Sequence, residues 1–185
     1  MLETTAPGCE TVCGSLGEAV VHLSQEQVAI YDRLVELRYQ VEWIVDNLPV
    51  GRSVTEENQE GQKFQGVTPR FPLGGTVLTG EDQTRNILFN HHEFTVRYHR
   101  ERRFSGSRIV GITVVPRSVR HSTRFASLTD VPNSVPLSCF SVENQEPLYL
   151  NSSDPAGLEV VWTYSVRWEE DRRVKWVTRW DVLFT

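Results

Sequence analysis

The 185 residues predict a mainly β fold, an antiparallel β-sandwich carrying one helix over about residues 25–38. Three observations predict it. Near the carboxyl end Leu158, Val160, Trp162, Tyr164, Val166 and Trp168 occupy every second position, the period of a strand with one apolar face. Apolar residues recur at helical spacing in one convincing stretch, after Ser24, as on a helix with a single buried side. Most of the remainder is short alternating runs cut by proline and glycine, a pattern of many short strands.

Composition bounds the function. A hydrophobic fraction of 39% and an aromatic fraction of 10% suit one folded domain with a real core. A formal net charge of −5 argues against nucleic acid as the main partner, since domains that bind it are usually basic. No run approaches the roughly 18 apolar residues of a membrane span. The opening MLETTAPGCE lacks the basic start and apolar run of a secretory leader. Taken alone, the sequence reads as soluble.

The elements follow in order. Residues 1–23 are polar and small, and read as a flexible lead-in to a domain over 24–185. Ser24 can cap a helix, with Gln27 three places on completing a capping box. Val28, Tyr31, Leu34 and Val35 then mark the buried side of that helix. From Tyr39 the period changes: Tyr39, Val41, Trp43 and Val45 alternate with polar positions, predicting a strand that stops at Asp46-Asn47-Leu48-Pro49. Residues 51–62 are acidic and glycine-bounded, and read as an exposed loop. The prolines and paired glycines of KFQGVTPRFPLGG permit only short extended pieces. Residues 79–86 read as a polar turn. His91 and His92 fall at a turn or bulge before a strand marked by Phe94, Val96 and Tyr98. A further strand runs over 109–115 and ends at Pro116. Residues 121–157 are irregular, with short extended pieces near 137–142 and 147–150. The long strand over 158–168 ends in the turn Glu169-Glu170-Asp171-Arg172-Arg173, and Val174, Trp176 and Trp180 begin a final apolar segment. Because burying one large apolar side chain contributes about 1.5–3 kcal/mol, most of Trp162, Tyr164, Trp168 and Trp176 are expected inside.

Five stretches carry a resemblance: YQVEWIVDNLPV, FPLG, FNHHEFTVRYHR, RIVGITVVPRSVRH and, at the end, WTYSVRWEE with VKWVTRWDVLF. Their residues and order resemble the luminal domain of the nonaspanins, the nine-transmembrane superfamily, and the likeness covers about residues 9–184. The resemblance implies a non-enzymatic domain facing the lumen of Golgi and endosomes, in a multispanning membrane protein that sorts and localises other membrane proteins. Its partners would be its own or a partner's transmembrane region and membrane-protein cargo, with no small-molecule substrate and no cofactor. It also implies a leader and early strands before Cys9 and membrane helices after Trp180, so that these residues would be a fragment. Arg179, Trp180 and Asp181 would then lie at the membrane face, with Arg179 and Asp181 placed to pair across Trp180. The alternative is a luminal or secreted sandwich that binds glycan or another ligand directly, through exposed aromatic rings.

Residue chemistry offers few other candidates. Cys9 and Cys13 form a lone C-x3-C, two ligands short of a structural zinc site. With Cys139 the count is three, so pairing is open, with three reduced thiols as the alternative. The nonaspanin resemblance implies a Cys9–Cys13 disulfide in an oxidising lumen. Asn151-Ser152-Ser153 is an N-glycosylation sequon, effective only if luminal. Neighbouring His91 and His92 would point to opposite faces of a strand and chelate one ion poorly. The arginines between Arg97 and Arg124 read as a solvated face, and no catalytic triad, paired carboxylates or phosphate loop is present.

Overall fold

The computed structural model describes residues 10–11, 20–57, 61–80, 83–101, 106–121 and 146–181. Its strands are β1 (Glu10–Thr11), β2 (Val20–Leu23), β3 (Gln40–Val41), β4 (Ile44–Val45), β5 (Leu48–Pro49), β6 (Arg52–Glu57), β7 (Lys63–Thr68), β8 (Phe71–Pro72), β9 (Gly74–Thr79), β10 (Gln83–Leu88), β11 (His91–His99), β12 (Arg108–Arg117), β13 (Leu158–Val161) and β14 (Thr163–Glu170). One α-helix, α1 (Gln25–Glu36), and a 3-10 turn, Trp176–Thr178, complete it. The fold is mainly β. β1 and β2 lie within the stretch read as a lead-in.

Four strands form the main sheet, in the order β1-β14-β11-β12. β11 and β12 are antiparallel neighbours in sequence, whereas β11 and β14 run parallel, with His91 opposite Thr163. The remaining pairs are two-stranded antiparallel ribbons. The strand expected over 158–168 is broken at Trp162. Val160 and Val161 are both buried there, because the chain leaves the ribbon with β2 and enters the main sheet beside β11. A change of partner ends strict alternation.

Helix α1 starts as its residues require. Ser24 Oγ accepts the Gln27 N–H, and the Gln27 side chain accepts the Ser24 N–H, satisfying two amides that have no partner within the helix. The helix ends at Glu36 rather than near 38, because Arg38 turns to a left-handed φ of 55°. Its buried side, Val28 and Val35, meets Leu23, Leu88, Leu148, Leu150 and Val160 in one apolar cluster. Gly74 makes that contact close: a Cβ there would strike the Ile87 carbonyl and lie 2.6 Å from Val35 Cγ2. A second cluster, Val50, Phe71, Val96, Ile112 and Val114, lies against the main sheet.

Several expected loops are strands. β6 and β7 pair along their length across the stretch read as an acidic loop. β10 pairs with β9 where a polar turn was expected. The expected strand over 39–45 is instead two short pieces, β3 and β4, and β5 follows at Leu48–Pro49, where the strand was expected to stop. His91 and His92 are buried residues at the head of β11, not a turn. After Asp171 the chain bends into the 3-10 turn, where a hairpin and a last apolar segment were expected.

Candidate functional site

Two of the stretches singled out in the sequence meet through Arg179. Asp46 and Asn47 have φ of 50° and 59°, so β4 and β5 are joined by a two-residue hairpin loop with both central residues left-handed, the type I′ geometry. Asp and Asn tolerate that region better than most residues. Following the 3-10 turn, Arg179 reaches this hairpin. Its Nη1 donates to Asp46 Oδ2 at 3.4 Å and to the Ile109 carbonyl at 3.3 Å, and Nη2 donates to the Asp46 carbonyl at 3.4 Å. The guanidinium carbon also lies 4.7 Å from the Trp176 ring centre, and that of Arg108 lies 4.9 Å from it. A buried cation is tolerable when such partners replace water. Arg179 is 8% exposed. Asp46 is half exposed, so the two carbonyls and the indole face carry more of the clasp than the ion pair.

Asp171 holds the turn that delivers this segment. Its Oδ1 accepts the N–H groups of Arg173 and Val174, at 2.9 and 3.1 Å, and Arg97 Nη1 donates to Oδ2 at 3.3 Å. Burial alone would raise the carboxyl's pKa, but those two amides and the Arg97 and Arg173 charges hold it below the usual range. Arg97 crosses the face of Gly111, where a Cβ would lie 2.7 Å from its Nη2. The clasp thus joins two segments that each carry exposed apolar side chains, β4 before the hairpin and the residues flanking Arg179. Ile44 is 68% exposed, Val177 75% and Trp180 39%. Lys175 and Arg173, earlier in the same segment as Val177 and Trp180, are also exposed.

A second polar cluster lies deep in the sheet. His91 Nδ1 and His121 Nε2 lie 2.8 and 2.9 Å from Thr163 Oγ1. Between neutral rings, the hydroxyl donates to one imidazole and accepts from the other. Asn90 ties the same region together: its Nδ2 donates to the Val119 and Val161 carbonyls, and its Oδ1 accepts the Val119 N–H, each at 2.9 Å. His92 sits among Trp43, Phe71, Phe94 and Trp162. Burial lowers His91 to about 4, aided by His121, His92 and Arg117; burial alone lowers His92 and His121 to about 4.

The expected site residues separate. Arg179 turns to Asp46 instead of Asp181, while Trp180 and Asp181 are exposed. Trp162 and Tyr164 are half-buried, but Trp168 and Trp176 are more than a third exposed: one packs beside Tyr98, the other between two guanidiniums. Asn151 is exposed on a turn. Cys9, Cys13 and Cys139 lie outside the described residues. Arg97, Arg117 and Arg120 pair with Asp171, Glu93 and Glu146. Among the described residues no group of three or more His, Cys, Asp or Glu is placed to hold a metal, and no helix is long and apolar enough to cross a membrane. The sequence does not single out Asp46 or Thr163, and it reads Arg108 as part of a solvated face where the guanidinium lies over Trp176; each matters through a partner distant in sequence. The left-handed preference of Asp46-Asn47 was the one local signal for that hairpin.

The model of one protein family, endomembrane protein 70, matches residues 1–185. Transmembrane 9 superfamily member 2 of Pongo abelii is 26% identical over 189 residues, covering 95% of this chain and 26% of the relative. Member 10 of Arabidopsis thaliana is 29% identical over 178 residues, covering 94% and 26%. Member 4 of Rattus norvegicus is 29% identical over 186 residues, covering 96% and 27%. The chain thus spans about a quarter of the length of the curated relatives it matches. No solved structure matches it.

Proposed function

From the premise that the chain belongs to the endomembrane protein 70 family, we propose that it is a luminal, non-enzymatic domain of a nonaspanin-type multispanning membrane protein. That protein resides in Golgi and endosomal membranes and sorts or localises other membrane proteins. The names of the transmembrane 9 superfamily relatives support the membrane setting, and the motif resemblance supports the location and the sorting role. The observation that carries the reading is the exposure of Ile44, Val177 and Trp180 on the two segments that the buried Arg179 clasp joins. A partly apolar surface rimmed by aromatic and basic side chains suits contact with a membrane-embedded partner. It is where this domain meets its own or a partner's transmembrane region, with membrane-protein cargo handled from that junction.

A photo-crosslinking side chain at Trp180, in the intact protein in its membrane, tests the contact. The expected adduct is to a transmembrane segment, with none from the same group at Leu78, which is 77% exposed on β9. Equal labelling from both positions, or adducts to soluble proteins alone, overturns the reading. One observation favours direct glycan binding instead: Trp168 is more than a third exposed beside Tyr98. The rings are tilted by 57°, however, and offer no continuous flat platform. Saturable signal on a glycan array, abolished by Trp168→Ala, would reverse that preference.

A further inference from the structure

We propose that Asn151 is an N-glycan acceptor, presented by a turn that helix α1 anchors, and that its co-substrate is an oligosaccharide carried on a polyprenyl diphosphate. The inference rests on the luminal placement above. Asn151-Ser152-Ser153 is the one Asn-x-Ser/Thr triplet in the sequence, and a sequon alone is weak evidence. The structure adds the geometry.

Asn151 Oδ1 accepts the Ser153 N–H at 3.3 Å, and the Asp154 N–H donates to the Asn151 carbonyl at 3.2 Å. The side-chain bond makes an Asx-turn. It engages the amide oxygen and leaves Nδ2 without a hydrogen-bond partner among the described residues. Both bonds are local, so the turn can form in a nascent chain before any sheet does. In the folded domain the outer residues of the sequon, Asn151 and Ser153, are exposed, while Ser152 between them faces inward. Ser152 Oγ donates to Asp32 Oδ2 at 3.2 Å, and Gln25 Nε2 donates to the Ser152 carbonyl at 3.2 Å. The turn is thus fixed to α1 by its middle residue and offers its reactive residue to solvent. Just upstream, Leu150 is buried and bonded to the Asn86 carbonyl, so the polypeptide leaves the core immediately before the acceptor. A glycan there needs neither a broken ladder nor a buried sugar.

The chemistry balances within the proposed pair. Nδ2 attacks the anomeric carbon of the oligosaccharide, and a new carbon–nitrogen bond replaces the carbon–oxygen bond to the diphosphate. The diphosphate departs with that electron pair, and one amide proton passes to a base of the transferase.

The test uses the intact protein in eukaryotic cells, with a second acceptor sequence inserted at Gly80, an exposed turn position with open space around it. Both sites should be occupied, giving two glycosidase-sensitive mobility steps. Asn151→Gln and Ser153→Ala should each remove one step, and Ser153→Thr should retain it. Occupancy at Gly80 without Asn151 overturns the inference and leaves the luminal placement standing. Occupancy at neither site overturns both.

Discussion

Arg179 shows how much can rest on one side chain. Its charge is almost fully buried, its hydrogen bonds are long at 3.3–3.4 Å, and its carboxylate partner is half in water. Removing one partner of a well-buried pair costs about 3–5 kcal/mol, and the solvated Asp46 lowers that here. Arg179→Ala should therefore destabilise the domain by about 2 kcal/mol, and Asp46→Ala by under about 1 kcal/mol. Arg179→Lys should recover little, because an ammonium cannot both stack on Trp176 and fork between carbonyls. Urea midpoints for the three variants check this, and equal costs for the two alanines would dismiss the carbonyl-and-indole account. The buried histidines predict a pH response. The unfolded imidazoles bind protons below their ordinary 6.5, while the folded ones resist until about 4. Across that window the unfolded state holds more protons, so the contribution is complete above 6.5 and is lost as pH falls toward 4. At about pH 5.5 each imidazole should cost about 1 kcal/mol. The melting temperature should fall steadily from neutral pH to about pH 4.5, and a flat profile contradicts it. Thr163→Val removes the hydroxyl shared by His91 and His121 and should cost about 1–3 kcal/mol at neutral pH.

Among the elements, α1 is the best test of local against long-range causes. Ser24→Ala removes its cap and should cost about 1 kcal/mol. Gly74→Ala leaves the helix cap untouched but drives a methyl into the Ile87 carbonyl and the helix's Val35, an overpacking worth about 1–3 kcal/mol. The glycine change should be the more damaging, and thermal melts of the two variants decide it. The same contrast explains what could be read beforehand. The helix start was legible because its capping box is local, and β12 because Val110, Ile112 and Val114 are buried at every second position. β11 was legible only from Phe94 on, since His91 and His92 are both buried at its head and break the alternation. The ribbons β6–β7 and β9–β10 were hidden in polar sequence, since much of each is exposed and an exposed pair needs no apolar period. The break at Trp162 was invisible because two partners, not one, organise residues 158–170. The Arg179 clasp was half legible: the tryptophan-rich end stood out, but nothing near it pointed to Asp46.

Over the whole molecule, the main sheet is held by contacts distant in sequence, and its parallel pair joins residues 91–98 to 163–170. Such topology folds slowly, because loop closure precedes the stabilising contacts. Among the described residues, β1 covers only Thr163 and Tyr164 on the far side of β14, so the strand from Ser165 onward has a hydrogen-bonded neighbour on one side alone. An open strand edge is a template for another chain. Among the described residues this side of β14 carries Arg167, Glu169 and Glu170, and charges of this kind discourage pairing. The isolated residues 1–185 should therefore associate with rising concentration, and Arg167→Val should strengthen that association about several-fold by removing one guarding charge. Sedimentation velocity across a concentration series measures both. A strictly monomeric protein with reversible, cooperative unfolding would mean the β14 edge is already satisfied, and association indifferent to Arg167→Val would place the contact elsewhere. With the predicted response, the edge and the Trp180 surface are separate features: one is answered by backbone pairing, the other by apolar contact.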